Sequence, residues 1–342
     1  MIRRPPRSTL IRSSAASDVY KRQAVQEQYV SENSTFCQGS PMLGADVCLE
    51  GFGEQQQQSY TKEQEDHMLR EAVQAAEEAD IVVLAIGEDR LQSGEATSNA
   101  NIRIPEVQEA LLDRIAEVNQ NIVVVLFSGR PLDIREINKK AKAILQVWLP
   151  GTEGARAIAD TLFGKYNPSG KLPMSFPYCV GQVPVHYNEY STGRPHIEGK
   201  DKDRFRSKYL DIPNEPLYPF GYGLSYTGFT ISDVILSSDR LTENGEITAS
   251  VCIQNTGERE GSDVLQLYIR DVTASVARPV KELKGIEKVS LKPGEKKEIG
   301  FRITEEMLRF VRADGSYGSE PGKFRVWISD SSDSGVYQEF IL

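Results

Sequence analysis

Short apolar runs alternate with amphipathic segments over residues 62–163, and this alternation constrains the fold more than any other feature of the chain. The runs are rich in Val, Ile and Leu and have no polar face, as is typical of strands buried on both sides of a parallel sheet. Between them, apolar residues recur at helical spacing, as in Leu111, Leu112 and Ile115. The alternation predicts right-handed crossovers and an open, doubly wound parallel α/β sheet. The predicted strands are 81–86, 122–127 and 143–149, and the predicted helices are 62–79, 105–119, 132–140 and 152–163.

The pattern changes to a period of two after Phe229. Ile247, Ala249 and Val251 alternate with polar residues, and turn signals such as NTGE and KPGE separate this run from those after it. About seven short strands of this kind predict an all-β sandwich of immunoglobulin or fibronectin type III shape. The runs lie near 229–238, 247–253, 265–269, 281–291, 299–303, 324–328 and 335–342.

Composition divides the chain into four parts. Residues 1–23 carry six Arg and Lys against a single Asp and resemble translated vector or adaptor sequence, so they are left out of the fold prediction. The α/β domain is predicted over 24–164, and its polar start at 24–60 suggests that a first strand is missing. The β domain is predicted over 228–342. Residues 165–227, rich in Pro, Gly and Tyr, predict an ordered connector whose aromatic rings pack between domains, with stacking on a sugar as the alternative.

Charge and cysteine content exclude several classes of function. The net charge is −9 and the acidic excess is not gathered into a block, so no nucleic-acid partner is expected. No apolar stretch is long enough for membrane insertion. The four cysteines form no CxxC pair and the three histidines are scattered, so neither a metal nor another cofactor is expected. A disulfide between Cys37 and Cys48 and a pair of free thiols both stay open.

The long polar loop from Gly87 to Ile104 is the best candidate for a functional site. It has neither a helical nor a strand period, and loops of this length inside a compact domain are usually functional or disordered. It leaves the carboxyl end of a predicted strand, which is the side where open α/β sheets bind ligands. Its three carboxylates are Glu88, Asp89 and Glu95, and the residues alone do not choose among them.

Four motifs in a fixed order give the sequence a family likeness. They are GEDRLQSGEATSNANIRIPEVQEALL, VVVLFSGRPL, WLPGTEGARAIADTLFGKYNPSGKLPMSFP and PLYPFGYGLSYTGF, and the later run DVTASVARPVKELKGIEKVSLKPGE supports them. Together they resemble the C-terminal half of glycoside hydrolase family 3, especially β-glucosidases of the bacterial periplasmic type. The resemblance spans essentially residues 60–342. It implies β-glucosides or short β-gluco-oligosaccharides as substrates and a periplasmic or secreted location.

The resemblance also implies a three-part enzyme. An N-terminal (β/α)8 barrel carries the nucleophilic aspartate, and a flavodoxin-like α/β sandwich and a fibronectin type III-like domain come after it. A barrel needs around 250 residues, so the barrel is expected to be missing from this chain. The missing barrel is then the expected partner with which the chain forms the complete enzyme. The chain is then expected to be a C-terminal fragment that is inactive alone.

The family places its general acid/base, a glutamate, ten residues before the proline that opens the next helix. That position is Glu95, ahead of Pro105, and Glu88 is expected to make structural hydrogen bonds to the loop instead. The family often has an arginine six residues before the proline, where this chain has Asn99. Loop anchoring or substrate contact is therefore expected to differ here.

Three functions stay open on the sequence. The first is the C-terminal part of a retaining exo-β-glucosidase, or of a family 3 β-xylosidase, which supplies the acid/base to a nucleophile on the barrel. The second is a non-catalytic carbohydrate-binding or structural module. The third, a nucleotide-binding flavodoxin-like protein, has least support, because neither GxxxxGK[ST] nor GxGxxG comes after any strand.

Overall fold

The computed structural model describes residues 8–13, 34–43, 60–89, 92–196, 203–333 and 336–342. The chain divides into two compact units. The first consists of residues 1–166 and 179–181, and the second of residues 167–178 and 182–342. Most of the predicted connector therefore belongs to the second unit. No helix in the described part of the chain is long and apolar enough to cross a membrane.

The first unit contains a parallel sheet with helices. Its strands are Ser8–Ser13 (β1), Ser34–Ser40 (β2), Ile81–Gly87 (β3), Ile122–Phe127 (β4) and Ala143–Trp148 (β5), and its helices are Lys62–Glu77 (α1), Glu106–Val118 (α2), Arg135–Lys140 (α3) and Gly154–Leu162 (α4). Within the described residues the strand order is β2-β1-β3-β4-β5, and every neighbouring pair is parallel. The predicted parallel α/β sheet is confirmed, as are the central strands and the helices between them.

The start of α1 shows how local sequence fixes an element boundary. The hydroxyl of Thr61 accepts a hydrogen bond from the N–H of Gln64 at 3.3 Å, and the N–H of Thr61 donates to Oε1 of Gln64 at 2.8 Å. This reciprocal pair is the capping box that the sequence predicts, and it satisfies donors that a helix start otherwise leaves unpaired. The apolar side of the helix then buries Ala72 and Ala76 completely.

The inner strand β1 departs from the sequence prediction. Residues 1–23 had no place in the predicted fold, yet Ser8–Ser13 pair with β2 on one side and with β3 on the other, Leu10 lying opposite Val83. The ladder of a parallel sheet consists of backbone hydrogen bonds, which an extended segment without proline, such as Ser8–Ser13, can supply even where it lacks an apolar run. The strand Ser34–Ser40 was also missed, because its polar sequence STFCQGS lacks both the apolar run and the alternation that mark strands.

Among its described residues, the second unit contains two larger antiparallel sheets and the two-stranded antiparallel pair β12-β13. Its strands are Phe229–Ile231 (β6), Ile235–Leu236 (β7), Glu246–Asn255 (β8), Gly261–Asp271 (β9), Glu282–Leu291 (β10), Lys296–Thr304 (β11), Phe310–Val311 (β12), Tyr317–Gly318 (β13), Lys323–Ser329 (β14) and Gln338–Ile341 (β15), and a short 3-10 helix covers Glu305–Leu308. Among the described residues one sheet has the order β10-β9-β14-β15, and the other has the order β11-β8-β6 with β7 also paired to β8. Both sheets contribute to a single apolar cluster that includes Ile253, Leu265 and Val326. The predicted all-β sandwich is therefore confirmed.

Aromatic rings of the predicted connector pack inside the second unit. Phe176 is 1% exposed. The Tyr187 ring stacks on Phe220 with centroids 4.5 Å apart and meets the edge of Tyr268 at 5.7 Å. Packing is thus confirmed for Phe176, Tyr187 and Phe220.

The buried side chain of Gln108 ties α2 to the end of β3. Its Oε1 accepts the N–H of Gly87 at 2.7 Å, and its Nε2 donates to the carbonyl oxygens of Gly87 at 3.0 Å and Met42 at 2.9 Å. Gly87 has a φ of +142°, and a Cβ there would lie 1.8 Å from the carbonyl oxygen of Phe127. The site loop therefore starts from a backbone position that is fixed on two sides.

Asp271, at the end of β9, is a buried carboxylate in the second unit. Its Oδ1 accepts the N–H of Thr273 at 3.2 Å, whereas Oδ2 has no hydrogen-bond partner among the described residues. Burial raises the pKa of Asp271 to about 6, against the weaker opposing effects of the Thr273 N–H and the Arg278 charge. The carboxylates of Glu320 and Glu282 add to the rise.

We predict that Gln108→Leu destabilises the first unit. The substitution leaves the N–H and carbonyl of Gly87 buried without partners, at a cost of about 1–3 kcal/mol for each group. Urea unfolding, followed by Trp148 fluorescence in a Trp327→Phe background, measures the loss. Gln120→Leu is the matched control, since the Gln120 amide is exposed and bonds only within its own helix end. Equal midpoints for the two variants would contradict the bridging role of Gln108.

We predict that Asp271→Asn stabilises the second unit increasingly as the pH rises. The folded-state pKa, about 6, lies above the ordinary value of 3.8, so the wild type has no penalty below pH 3.8 and the full penalty above pH 6. Between these limits the variant should gain up to about 3 kcal/mol over the wild type. Unfolding at a series of pH values, with Trp327 as reporter in a Trp148→Phe background, measures the difference. Asp239→Asn, at an exposed position, controls for the substitution, and a difference for Asp271→Asn that stays constant with pH would refute the prediction.

Candidate active site

The candidate site lies where β3 and β4 end together. The two strands pair in parallel from Val82 opposite Ile122 to Gly87 opposite Phe127, so the segments after them leave the same edge of the sheet. The N–H of Glu88 donates to the carbonyl oxygen of Phe127 at 2.8 Å and extends this pairing by one residue. The loop after β3 and the turn after β4 are therefore neighbours from their first residues.

Glu88 is a buried carboxylate that joins these two segments. Its side chain is 2% exposed, its Oε2 accepts the N–H of Gly129 at 3.1 Å, and its Oε1 lies 3.0 Å from Nε of Arg130. Nδ2 of Asn99 donates to Oε1 at 3.3 Å. Burial raises the pKa of Glu88, while the Gly129 N–H, the Arg130 charge and the Asn99 amide oppose the rise. These contacts agree with the structural role expected for Glu88.

The side chain of Arg130 holds the loop by hydrogen bonds to backbone carbonyl oxygens of the loop. Its Nη2 donates to the carbonyl oxygen of Gln92 and, at 3.0 Å, to that of Thr97. Gln92 in turn caps the first bend, because its Oε1 accepts the N–H of Asp89 at 2.8 Å. In the sequence, Arg130 was recognised only as one of the residues that end the apolar run of β4. The signal that could have found it is its place directly after the strand that neighbours β3, where polar residues converge on the loop edge.

Glu95 occupies the tip of the turn between Gln92 and Thr97. It is exposed, and no described residue forms a hydrogen bond or an ion pair with its carboxylate. Its two neighbours have positive φ angles, +137° at Gly94 and +59° at Ala96, and the hydroxyl of Thr97 donates to the carbonyl oxygen of Gly94 at 2.7 Å. The turn therefore presents the Glu95 side chain without tying it to the rest of its own domain.

The two ends of the loop are fixed by different means. At the near end, Ser93 packs against Gly129, where an added Cβ would lie 1.8 Å from the Ser93 hydroxyl, so only glycine fits. At the far end, Ile102 and Ile104 are buried and the N–H of Asp133 donates to the carbonyl oxygen of Ile102 at 2.9 Å. The exposed tip thus stands between two anchored segments.

The described residues contain no group of three or more His, Cys, Asp or Glu that could hold a metal ion. Of the three loop carboxylates, Glu88 is held in a charged network and Glu95 is free to meet a partner in solvent. Cys48 lies outside the described residues, so a disulfide between Cys37 and Cys48 and a pair of free thiols both stay open.

Comparison of the chain with models of protein families agrees with the α/β fold of the first unit and the all-β fold of the second. Residues 11–226 match the model of the Glycosyl hydrolase family 3 C-terminal domain. Residues 263–332 match the Fibronectin type III-like domain. The first match includes the whole candidate site.

Individual relatives are glycosidases by name. A periplasmic β-glucosidase of Salmonella typhimurium is 52% identical over 265 residues, which are 78% of this chain and 34% of that protein. A putative β-xylosidase of Formosa agariphila is 38% identical over 276 residues, which are 79% of this chain and 35% of that protein. The chain therefore spans about a third of the length of these relatives.

Solved structures show the same architecture. A β-glucosidase of Listeria innocua in complex with isofagomine superposes with a TM-score of 0.86 at 35% identity, over 98% of this chain and 46% of that one. Other structures of β-glucosidase from the same organism hold glucose, and, in a mutant, laminaribiose. By its matched domains and their order, the chain belongs to glycosyl hydrolase family 3.

Proposed function

We propose that this chain is the part of a retaining, exo-acting β-glucosidase that supplies the general acid/base, Glu95, to a nucleophilic aspartate on a (β/α)8 barrel. The substrates are terminal, non-reducing β-D-glucosyl residues of β-glucosides and short β-gluco-oligosaccharides. The observation that carries the proposal is an exposed carboxyl without a partner in the described part of its domain, at the tip of an anchored turn, in a chain of this family.

The geometry of the turn suits an acid/base that works on a group outside its own domain. A carboxyl that already accepts hydrogen bonds from its own domain, as Glu88 does from Gly129, is not available to a glycosidic oxygen. Glu95 has no such partner among the described residues, and its neighbours Gly94 and Ala96 hold it on a narrow tip. Desolvation would come from the surface that the tip meets.

The reaction needs two carboxyl groups with different tasks. The nucleophile attacks the anomeric carbon while Glu95, as the acid, protonates the glycosidic oxygen of the leaving group. Glu95, now a carboxylate, then removes a proton from the water that breaks the covalent glycosyl-enzyme, and configuration is retained because two displacements have occurred. Retaining enzymes hold the two carboxyl groups about 5 Å apart.

Sugar preference and location are inferred from the relative with the higher sequence identity. The periplasmic β-glucosidase of Salmonella typhimurium is 52% identical, whereas the β-xylosidases of Formosa agariphila are 38% and 40% identical. We therefore favour glucosides over xylosides, and a periplasmic or secreted location. The domain division we propose is 24–164 for the α/β domain, whose sheet also includes β1 from residues 1–23, 165–227 for the connector and 228–342 for the fibronectin type III-like domain.

We expect that the purified chain does not hydrolyse an aryl β-glucoside, because the proposed nucleophile lies on the barrel. Release of the aryl group, measured over hours at high protein concentration, tests this expectation. Glu95→Gln in the same chain controls for trace contaminants. Turnover that disappears in Glu95→Gln would show that the chain contains its own nucleophile and would overturn the division of roles.

We expect that Glu95→Ala slows an active chimera most for substrates with poor leaving groups. In the chimera, this chain replaces the matching third of the Salmonella typhimurium β-glucosidase. Loss of the acid should lower kcat/KM by about 10²–10⁴-fold for an alkyl glucoside and much less for an activated aryl glucoside, which needs little protonation. Azide should restore turnover of the aryl glucoside and yield β-glucosyl azide, since it attacks the glycosyl-enzyme without help from a base.

The control variant for this experiment is Glu106→Ala, which removes an exposed carboxylate at the start of α2. Equal losses for all leaving groups in Glu95→Ala would assign Glu95 a binding or folding role and would reject the acid/base proposal. A chimera that prefers aryl xylosides to aryl glucosides would instead point to a β-xylosidase.

A further inference from the structure

The two sides of the Glu95 turn meet at one guanidinium group. Nη2 of Arg130 donates to the carbonyl oxygens of Gln92 and Thr97, which enclose residues 93–96. Hydrogen bonds from a charged donor are about twice as strong as those between neutral groups. A single atom therefore sets the separation between the start and the end of the segment that carries Glu95.

Arg130 is itself held at a fixed place. Its Nε lies 3.0 Å from Oε1 of Glu88, whose side chain is 2% exposed and also accepts the N–H of Gly129. Removal of Arg130 would leave the buried charge of Glu88 uncompensated. The guanidinium thus contacts the end of β3 through Nε and the turn through Nη2.

The segment between the two carbonyls has little other support from its own backbone. Gly94 and Ala96 both have positive φ angles, and a non-glycine residue adopts this conformation only when its surroundings impose it. Only the hydrogen bond from the Thr97 hydroxyl to the Gly94 carbonyl lies inside the described turn. Contacts from outside the turn must therefore maintain its shape.

We propose that Arg130 is a positioning residue for the acid/base: it fixes the Gln92 and Thr97 carbonyls relative to Glu88 and so holds the Glu95 tip in one conformation. This inference rests on the proposed role of Glu95. Asn99 adds a neutral amide donor to the same Glu88 carboxylate. Lysine is a poor replacement for arginine here, since its compact ammonium group lacks the separate Nε and Nη2 donors that reach Glu88 and the two carbonyls.

Hydrogen exchange in the full chain tests the positioning contact without any assay of activity. Arg130→Lys keeps a positive charge beside Glu88 but loses the two-sided contact. The amides of Asp89 and Gln92, which are hydrogen-bonded within the loop, should exchange about tenfold faster or more in this variant. The double variant Glu88→Gln with Arg130→Met removes both charges, and it gives the same test if Arg130→Lys does not fold.

The matched control is Arg103→Met. Arg103 belongs to the same loop and pairs with Glu109 at 2.8 Å, yet it makes no contact with the turn. The Arg103→Met variant should leave hydrogen exchange at the amides of Asp89 and Gln92 unchanged. Wild-type exchange at both amides in Arg130→Lys and in the double variant would overturn the proposal.

Kinetics in the chimera separate positioning from a general loss of stability. A displaced acid should lower kcat/KM for the alkyl glucoside by about 10- to 100-fold, with a smaller effect on the activated aryl glucoside. In a Glu95→Ala background, Arg130→Lys should cause no further loss for the alkyl glucoside, because the group that it positions is gone. Additive losses in the two backgrounds would overturn the proposal.

The two proposals fail in different ways. If Glu95→Ala shows no dependence on the leaving group while Arg130→Lys still loosens the turn, the acid/base role fails and the structural contact stands. If Glu95→Ala shows that dependence and Arg130→Lys retains both wild-type exchange and wild-type kinetics, Glu95 keeps its role and the positioning by Arg130 is rejected.

Discussion

The candidate site depends on one buried carboxylate, Glu88, at the carboxyl end of β3. Parallel pairing brings the ends of β3 and β4 to the same edge, but backbone pairing stops there, and a side chain must join the loop after β3 to the turn after β4. Glu88 makes that connection with the Gly129 N–H and the Arg130 guanidinium. An ionised carboxylate is costly at such a position unless its charge is compensated. Glu88 and Arg130 are therefore required together, and through them the end of β3 is connected to the Gln92 and Thr97 carbonyls of the loop.

Much of the architecture can be predicted from the sequence because its signals are local. Six apolar residues in a row predicted β4 with its observed bounds, and the Thr61–Gln64 pair predicted the start of α1. The strands that the sequence does not reveal are those whose sequence carries no recognisable strand pattern. Ser34–Ser40 has a polar sequence, and Phe310–Val311 forms a strand of only two residues opposite Tyr317–Gly318. No periodicity can be recognised in a segment of two residues.

The site was predicted in part, and the division has a physical cause. A long aperiodic loop after a buried strand is visible in the sequence, and so is the carboxylate Glu88 near the start of that loop. Arg130 is different, because it bonds to backbone carbonyls 38 and 33 residues earlier, and every residue has such a carbonyl. Gln108 can be recognised in the sequence. It precedes Leu111 by three residues and Leu112 by four, so it is a polar residue on the apolar face of a predicted helix. The assignment of Glu95 came from family resemblance alone and stays a proposal.

The inner strand β1 has a consequence for how such a domain can change in evolution. Among the described strands, β2 joins the sheet only through β1, which pairs in parallel with β2 and with β3. Backbone pairing of this kind can be formed by extended segments of different sequence, provided that they lack proline. Recombination near this point of a gene would then exchange one extended segment for another and leave β3, β4 and the Glu88 network intact.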